Sequence, residues 1–181
     1  MRNKTVHTLT VCALMAALLC VLGPMAVLIG PVPITLATLI LYLTVYLLGT
    51  KGAFLTVLVY LLLGAAGMPV FSGYQGGLSK LVGPTGGYLA GYLLLVPVSG
   101  LIMEWGKRKL FPTVLGMIAG TAVLYLLGTV WFIAMTKSEI AHALSVCVVP
   151  FVPFDLVKIL LAVSFGALIR TPLVKQNLLG D

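Results

Sequence analysis

Two charged residues stand inside an otherwise apolar run. Asp155 and Lys158 lie in Phe154-Asp155-Leu156-Val157-Lys158, just after Pro150 and Pro153. Three residues apart, they share one face of a helix. A charge at the centre of a membrane span costs about 2.5–3.5 kcal/mol on insertion scales. Such residues usually face a cavity or a partner and serve a function. The pair sets an acceptor and a donor side by side, which suits a polar ligand. A plainer reading makes it an ion pair fixing the start of the helix, with Asp155 in the first turn favoured by the helix dipole. The two readings can coexist.

The segment from Gly64 to Tyr88 is the second unusual feature. It holds eight glycines and two prolines: Gly64, Gly67, Gly73, Gly76, Gly77, Gly83, Gly86 and Gly87, with Pro69 and Pro84. Glycine permits positive φ and close backbone approach. Phe71, Tyr74 and Tyr88 offer aromatic walls, and Ser72, Gln75, Ser79 and Thr85 offer hydrogen bonds. Irregular backbone at membrane depth is tolerated where protein buries it or it lines a cavity. The segment reads as a ligand wall or lid in preference to a tight crossover.

Catalytic equipment is missing. There is no GxxxxGK[ST] phosphate loop, no GxSxG elbow and no HExxH zinc motif. His7 and His142 belong to opposite faces of the membrane, and four carboxylates make an acid pair hard to build. Neither catalysis nor ATP hydrolysis by this chain is expected. Cys12, Cys20 and Cys147 lie in apolar stretches without metal or disulfide spacing and read as packing residues.

The elements that position these residues are membrane spans. Of 181 residues, 61% are hydrophobic and 8% charged, against about 25% charged in an ordinary soluble domain. A globule with so little polar surface could not cover itself, so lipid is the solvent. The net charge of +7 sits at span ends and not in a stripe, which argues against nucleic acid. Arg2, Lys4 and the apolar run after them resemble a signal peptide. Leu19, however, stands where a cleavage site before Cys20 needs a small residue, so the segment reads as a retained first span.

Breakers divide the chain into six runs: 8–22, 34–48, 53–66, 85–105, 114–135 and 152–169. The expected fold is therefore an all-α polytopic integral membrane protein, a single domain over 1–181 with six transmembrane helices. Several runs are shorter than the ~20 residues a perpendicular span needs. With both termini inside, the cytoplasmic face takes Arg2, Lys4, Lys51, Lys107, Arg108, Lys109, Arg170 and Lys175, eight of eleven cations. That excess supports an N-in, C-in topology. It leaves 23–33, 67–84 and 136–153 outside, so recognition falls to the outer face. In the first of these loops, Gly30 and the prolines bracket a segment that can hinge. Ala13 and Ala17, and Gly116 and Gly120, are small residues four apart that let another helix approach closely. For the glycines, packing within the bundle is the expected use.

These residues resemble a family: BioY, the biotin-specific substrate-binding subunit (S component) of energy-coupling factor (ECF) vitamin transporters. The resemblance spans essentially the whole chain. It is carried by Gly67-Met-Pro-Val-Phe71, Gly76-Gly77, Gly83-Pro-Thr-Gly-Gly-Tyr88, Val32-Pro-Ile-Thr-Leu36 and Pro153-Phe-Asp-Leu-Val-Lys158. It implies an ECF S-component-like bundle of six helices in the bacterial cytoplasmic membrane, with a biotin pocket open to the outside. It also implies partners: a membrane coupling protein, docked on Ala13 and Ala17, and two cytoplasmic ATPases that hydrolyse ATP, no cofactor being held by this chain. The site it implies comprises Asp155, Lys158, Phe71, Tyr74, Gln75, Thr35, Gly86 and Tyr88. Asp155 would accept from a ureido N–H, and Lys158 would meet a ligand acceptor such as the carboxylate. One departure is Ala37, where relatives are expected to carry glutamine.

Three rivals stand beside this reading. The cargo could be another vitamin, such as thiamine or riboflavin. The chain could be a membrane enzyme acting on a lipid, though Asp155 has no second acid at its depth. It could also be a structural subunit without a ligand, against which the Gly-rich segment and the costly ion pair argue.

Overall fold

The computed structural model describes residues 4–27 and 32–175. Arg2, Gly30 and Pro31 lie outside the described residues, and with them the hinge expected of the first loop. The described chain is helical almost throughout: α1 Lys4–Leu22, α2 Ala37–Ala65, α3 Leu78–Leu81, α4 Gly86–Trp105, α5 Leu110–Thr136, α6 Ile140–Cys147 and α7 Phe151–Lys175. A two-residue antiparallel pair, β1 Ala26–Val27 on β2 Ile34–Thr35, closes the first loop with Ala26 opposite Thr35.

Among the described residues, four stretches are long and apolar enough to cross a membrane: α2, α4, α5 and the 36 residues Ile140–Lys175 that hold α6 and α7. The apolar part of α1, Val6–Leu22, is shorter. This is a membrane protein whose helices are apolar all round, so hydrophobicity alone does not tell the lipid face from the core. Leu62, Leu126, Leu160 and Leu168 are exposed on the bundle's outside. Buried hydroxyls mark the inside. Most of those are satisfied one turn back on their own helix: Thr44 donates to Ile40 O at 2.6 Å, Thr56 to Gly52 O at 2.9 Å and Thr121 to Met117 O at 2.7 Å.

α2 is not one rod. Gly49 has φ +69° and ψ −171°, inside an otherwise helical run. A straight helix would separate Thr38 from Tyr60 by ~33 Å, yet both line one cavity. The chain therefore doubles back at Gly49 into two arms. Only that residue leaves the helix; Thr50, Lys51 and Gly52, expected to share the break, are helical. The reversal frees backbone groups, and the far end of α4 and the turn after it supply partners for them. The Thr50 N–H donates to Glu104 Oε1 at 2.8 Å, and Arg108 Nη1 donates to Tyr46 O at 3.0 Å.

α4 packs most extensively on α5, and α2 touches α1, α4 and α7. Gly116 and Gly120 lie where a β-carbon would meet the Ser99 backbone oxygen at 2.7 Å and the Ser99 side chain. These glycines thus set how closely α5 approaches α4.

Several boundaries differ from the expected runs. Residues 34–36 precede α2, because Ile34 and Thr35 pair with β1. α5 begins four residues early, at Leu110. Pro112 falls in its first turn, where a missing N–H costs nothing. The segment 136–153, expected as a loop, contains α6.

Candidate ligand-binding site

A partly open cavity lies at the end of the bundle where α1 stops and α2 begins. Its volume is about 50 Å³, a narrow space rather than a preformed ligand-sized chamber. Each larger helix contributes: Gly23 just past α1, Thr38 and Tyr60 from the two arms of α2, Tyr88 and Tyr92 from α4, Tyr125 from α5, and Phe151, Asp155 and Lys158 from α7. Thr35 of β2 and Ser72 and Thr85 of the Gly-rich segment complete the wall.

The ion pair stands in this wall. Lys158 Nζ lies 2.9 Å from Asp155 Oδ1, and both residues are buried. α7 starts at Phe151, so Asp155 is its fifth residue, past the free N–H groups of the first turn. Side chains satisfy it instead. Thr38 Oγ1 donates to Asp155 Oδ1 at 2.9 Å and accepts from Lys158 Nζ at 2.9 Å. Tyr125 OH donates to Asp155 Oδ2 at 2.7 Å. Neither Thr38 nor Tyr125 was singled out from the sequence. Thr38 is the second residue of α2, and Ile34, four residues back, belongs to a strand. The back-bond that occupies Thr44, Thr56 and Thr121 has no helical carbonyl there, so its hydroxyl turns to α7.

This arrangement leaves a defined residue of bonding capacity. An ionised carboxylate offers about four acceptor positions and an ammonium three donors. Three bonds to Asp155 and two from Lys158 are accounted for within the cluster. One acceptor position and one donor proton remain, adjacent and in an apolar, aromatic surround. An edge of a urea or amide, N–H beside C=O, is their complement.

The other sequence-derived residues divide into two groups. Thr35 and Tyr88 line the cavity with Asp155 and Lys158. Tyr88 also donates to Cys147 O at 2.8 Å and stacks on Phe151, tying α4 to α6 and α7. Phe71, Tyr74, Gln75 and Gly86 do not line it. Phe71 is fully buried edge-on to Tyr60, its ring over Gly64. Its backbone exchanges hydrogen bonds with Gln75, so this part of the segment forms a folded plug. Tyr74 is exposed, with φ +57°. Gln75 borders a separate surface hollow with Ser79 and Lys80, where partial burial pushes the ammonium of Lys80 below its usual range. Gly86 sits against Leu81 O, where no β-carbon fits. Ala13 and Ala17 are exposed on α1.

Comparison with known proteins places this geometry. The BioY family model matches residues 1–174. The chain belongs to the BioY family. Among its BioY relatives, the biotin transporter BioY2 of Lactococcus lactis subsp. cremoris is 39% identical over 175 residues, 94% of each chain. The biotin transporter BioY of Thermotoga maritima is 45% identical over 135 residues, covering 74% of this chain and 78% of the relative. The crystal structure of the S-component for biotin from an ECF-type ABC transporter superposes with a TM-score of 0.88 at 28% identity, covering 94% of both chains. The BioY relatives are transporters, not enzymes.

Proposed function

We propose that this protein captures biotin from outside the cell and delivers it across the bacterial cytoplasmic membrane as the substrate-specific subunit of an ECF-type transporter. The observation that carries the reading is the cavity with Asp155 and Lys158 in its wall, in a chain whose relatives are named biotin transporters. In this reading Asp155 accepts from a ureido N–H. Lys158 donates to the ureido oxygen, because the open acceptor and donor are adjacent. Tyr88, Tyr92 and Phe151 cover the apolar bicycle. The membrane is crossed six times, by α1, both arms of α2, α4, α5 and α7, with both termini inside. A membrane coupling protein and two cytoplasmic ATPases complete the transporter, the first docking on Ala13 and Ala17, the second hydrolysing ATP.

The test is direct. Purified protein in detergent is denatured and the released small molecules assayed for biotin, followed by thermal shift with a vitamin panel. Stoichiometric biotin and selective stabilisation by biotin are expected. Folded protein that releases none and gains nothing from biotin overturns the cargo. Topology is checked separately with Lys51→Cys and Lys80→Cys in intact cells, where an impermeant thiol reagent should reach only the second.

A further inference from the structure

Positive charge gathers at the end of the bundle away from the cavity. There α4 passes to α5 through Lys107, Arg108 and Lys109, α2 reverses beside Lys51, and α7 ends with Arg170 and Lys175. Among the described residues, Glu104 is the one acid at that end, and its Oε1 already accepts the Thr50 N–H at 2.8 Å. Two of the cations are drawn together from different elements. Arg108 Nη1 donates to Tyr46 O at 3.0 Å, while the Tyr46 ring lies over Gly166, one turn before Arg170. Burial and the neighbouring Arg170 push the Arg108 guanidinium below its usual range, against the opposite pull of Glu104. Beside them is a hollow lined by Tyr46, Ala167, Arg170, Thr171, Val174 and Lys175, with no carboxylate among these residues.

The same face of α7 is apolar further along. Leu160 and Leu156 stand seven and eleven residues before Ala167, so helical spacing sets them in line with the hollow, and both are exposed. Leu160 lies about 15 Å along the axis from Arg170, half the ~30 Å hydrocarbon thickness of a bilayer. We propose that the hollow at the end of α7 binds the phosphate headgroup of an anionic phospholipid, with Arg170 and Lys175 as its cations and an acyl chain along Leu160 and Leu156. Arg170 offers phosphate oxygens a planar fork, and Lys175 a mobile point charge. Basic pockets between helices at this depth suit anionic headgroups. An anion there also offsets the repulsion between Arg108 and Arg170. A free phosphate would satisfy the charges and leave the apolar line unused. The site is separate from the ligand cavity and does not depend on its cargo.

Full-length protein is placed in nanodiscs of equal phosphatidylglycerol and phosphatidylcholine, and the lipids retained on release are counted by native mass spectrometry. Preferential retention of phosphatidylglycerol is expected. Each cation removed from the hollow should weaken it about fivefold, so Arg170→Gln with Lys175→Gln weakens it about 25-fold. Lys107→Gln with Lys109→Gln removes the same charge from the adjacent turn and should weaken it far less. Lys175 is exposed, so Lys175→Gln alone serves should the paired variant not fold. Equal retention of the two lipids overturns the inference, as do equal losses from the two pairs of substitutions. Inorganic phosphate that raises Tm as much as short-chain phosphatidylglycerol at the same concentration assigns the site to a free anion and overturns the lipid. Hollow variants that keep the lipid preference but lose co-purification with a membrane coupling protein assign the surface to that partner instead.

Discussion

Thr38, near the start of α2, donates its hydroxyl to Asp155 on α7 at 2.9 Å, across 117 residues of sequence. The same oxygen accepts from Lys158, so one small side chain holds both members of the ion pair at fixed spacing. Thr38→Val keeps the shape and removes the bond. A hydrogen bond to a charged group is worth about 1.5–3 kcal/mol, or roughly 10- to 100-fold in Kd. Biotin affinity should fall by that amount, with Thr38→Ser restoring most of it. Tyr125→Phe, which removes the bond to Oδ2, should act in the same direction. Unchanged affinity in both variants would separate the network from binding.

Asp155 and Lys158 hold each other in the wall and, in the proposed reading, also hold the ligand; paired substitution separates the two roles. Removing one partner leaves a buried charge uncompensated, at a cost of about 3–5 kcal/mol. Asp155→Asn and Lys158→Ala should each lower Tm and weaken biotin capture while the bundle stays folded. Combining Asp155→Asn with Lys158→Met removes both charges. Tm should recover most of the loss, and biotin binding should not. Recovery of binding in the double variant would confine the pair to a structural role.

The reversal at Gly49 rests on a backbone conformation that only glycine adopts readily. At φ +69° and ψ −171° another residue costs about 1–3 kcal/mol. A β-carbon there would also meet Glu104 Oε1 at 2.6 Å and Arg108 Nη2 at 2.9 Å. Gly49→Ala should therefore reduce Tm by several degrees. Biotin affinity of the folded fraction should persist, because Gly49 lies at the end of the arms away from the cavity. A Tm equal to that of the unaltered protein would show that the break is not strained.

Ala13 and Ala17 face outward from α1, so the bundle itself does not need their smallness. Ala13→Trp and Ala17→Trp should leave biotin binding by the isolated protein intact. Co-purification with a membrane coupling protein should drop to background, and biotin uptake by cells with it. Undiminished co-purification from both variants would move the docking surface elsewhere.

Class, breaks and the ion pair were legible in the chain because each is a local anomaly. Lipid as solvent follows from how few residues are charged. Helix ends follow from Gly and Pro. Asp155 and Lys158 stand out because charge in an apolar run is costly, and their three-residue spacing sets them on one face whatever the bundle does. Thr38 and Tyr125 carried no such mark. Thr44, Thr56 and Thr121 look the same in sequence yet bond their own helix, and the difference at Thr38 is that its helix begins only one residue earlier. The signal available was Pro33 just upstream, which argues for a late helix start. Phe71 and Tyr88, two aromatic residues of one Gly-rich segment, were equivalent as sequence. Packing sent one under Tyr60 and the other into the cavity wall. Composition and spacing determined which solvent surrounds the protein and which charges it buries. The tertiary structure alone decided which hydroxyls meet those charges, because hydrogen bonds between helices depend on where chain ends are brought together, and local propensity does not encode that.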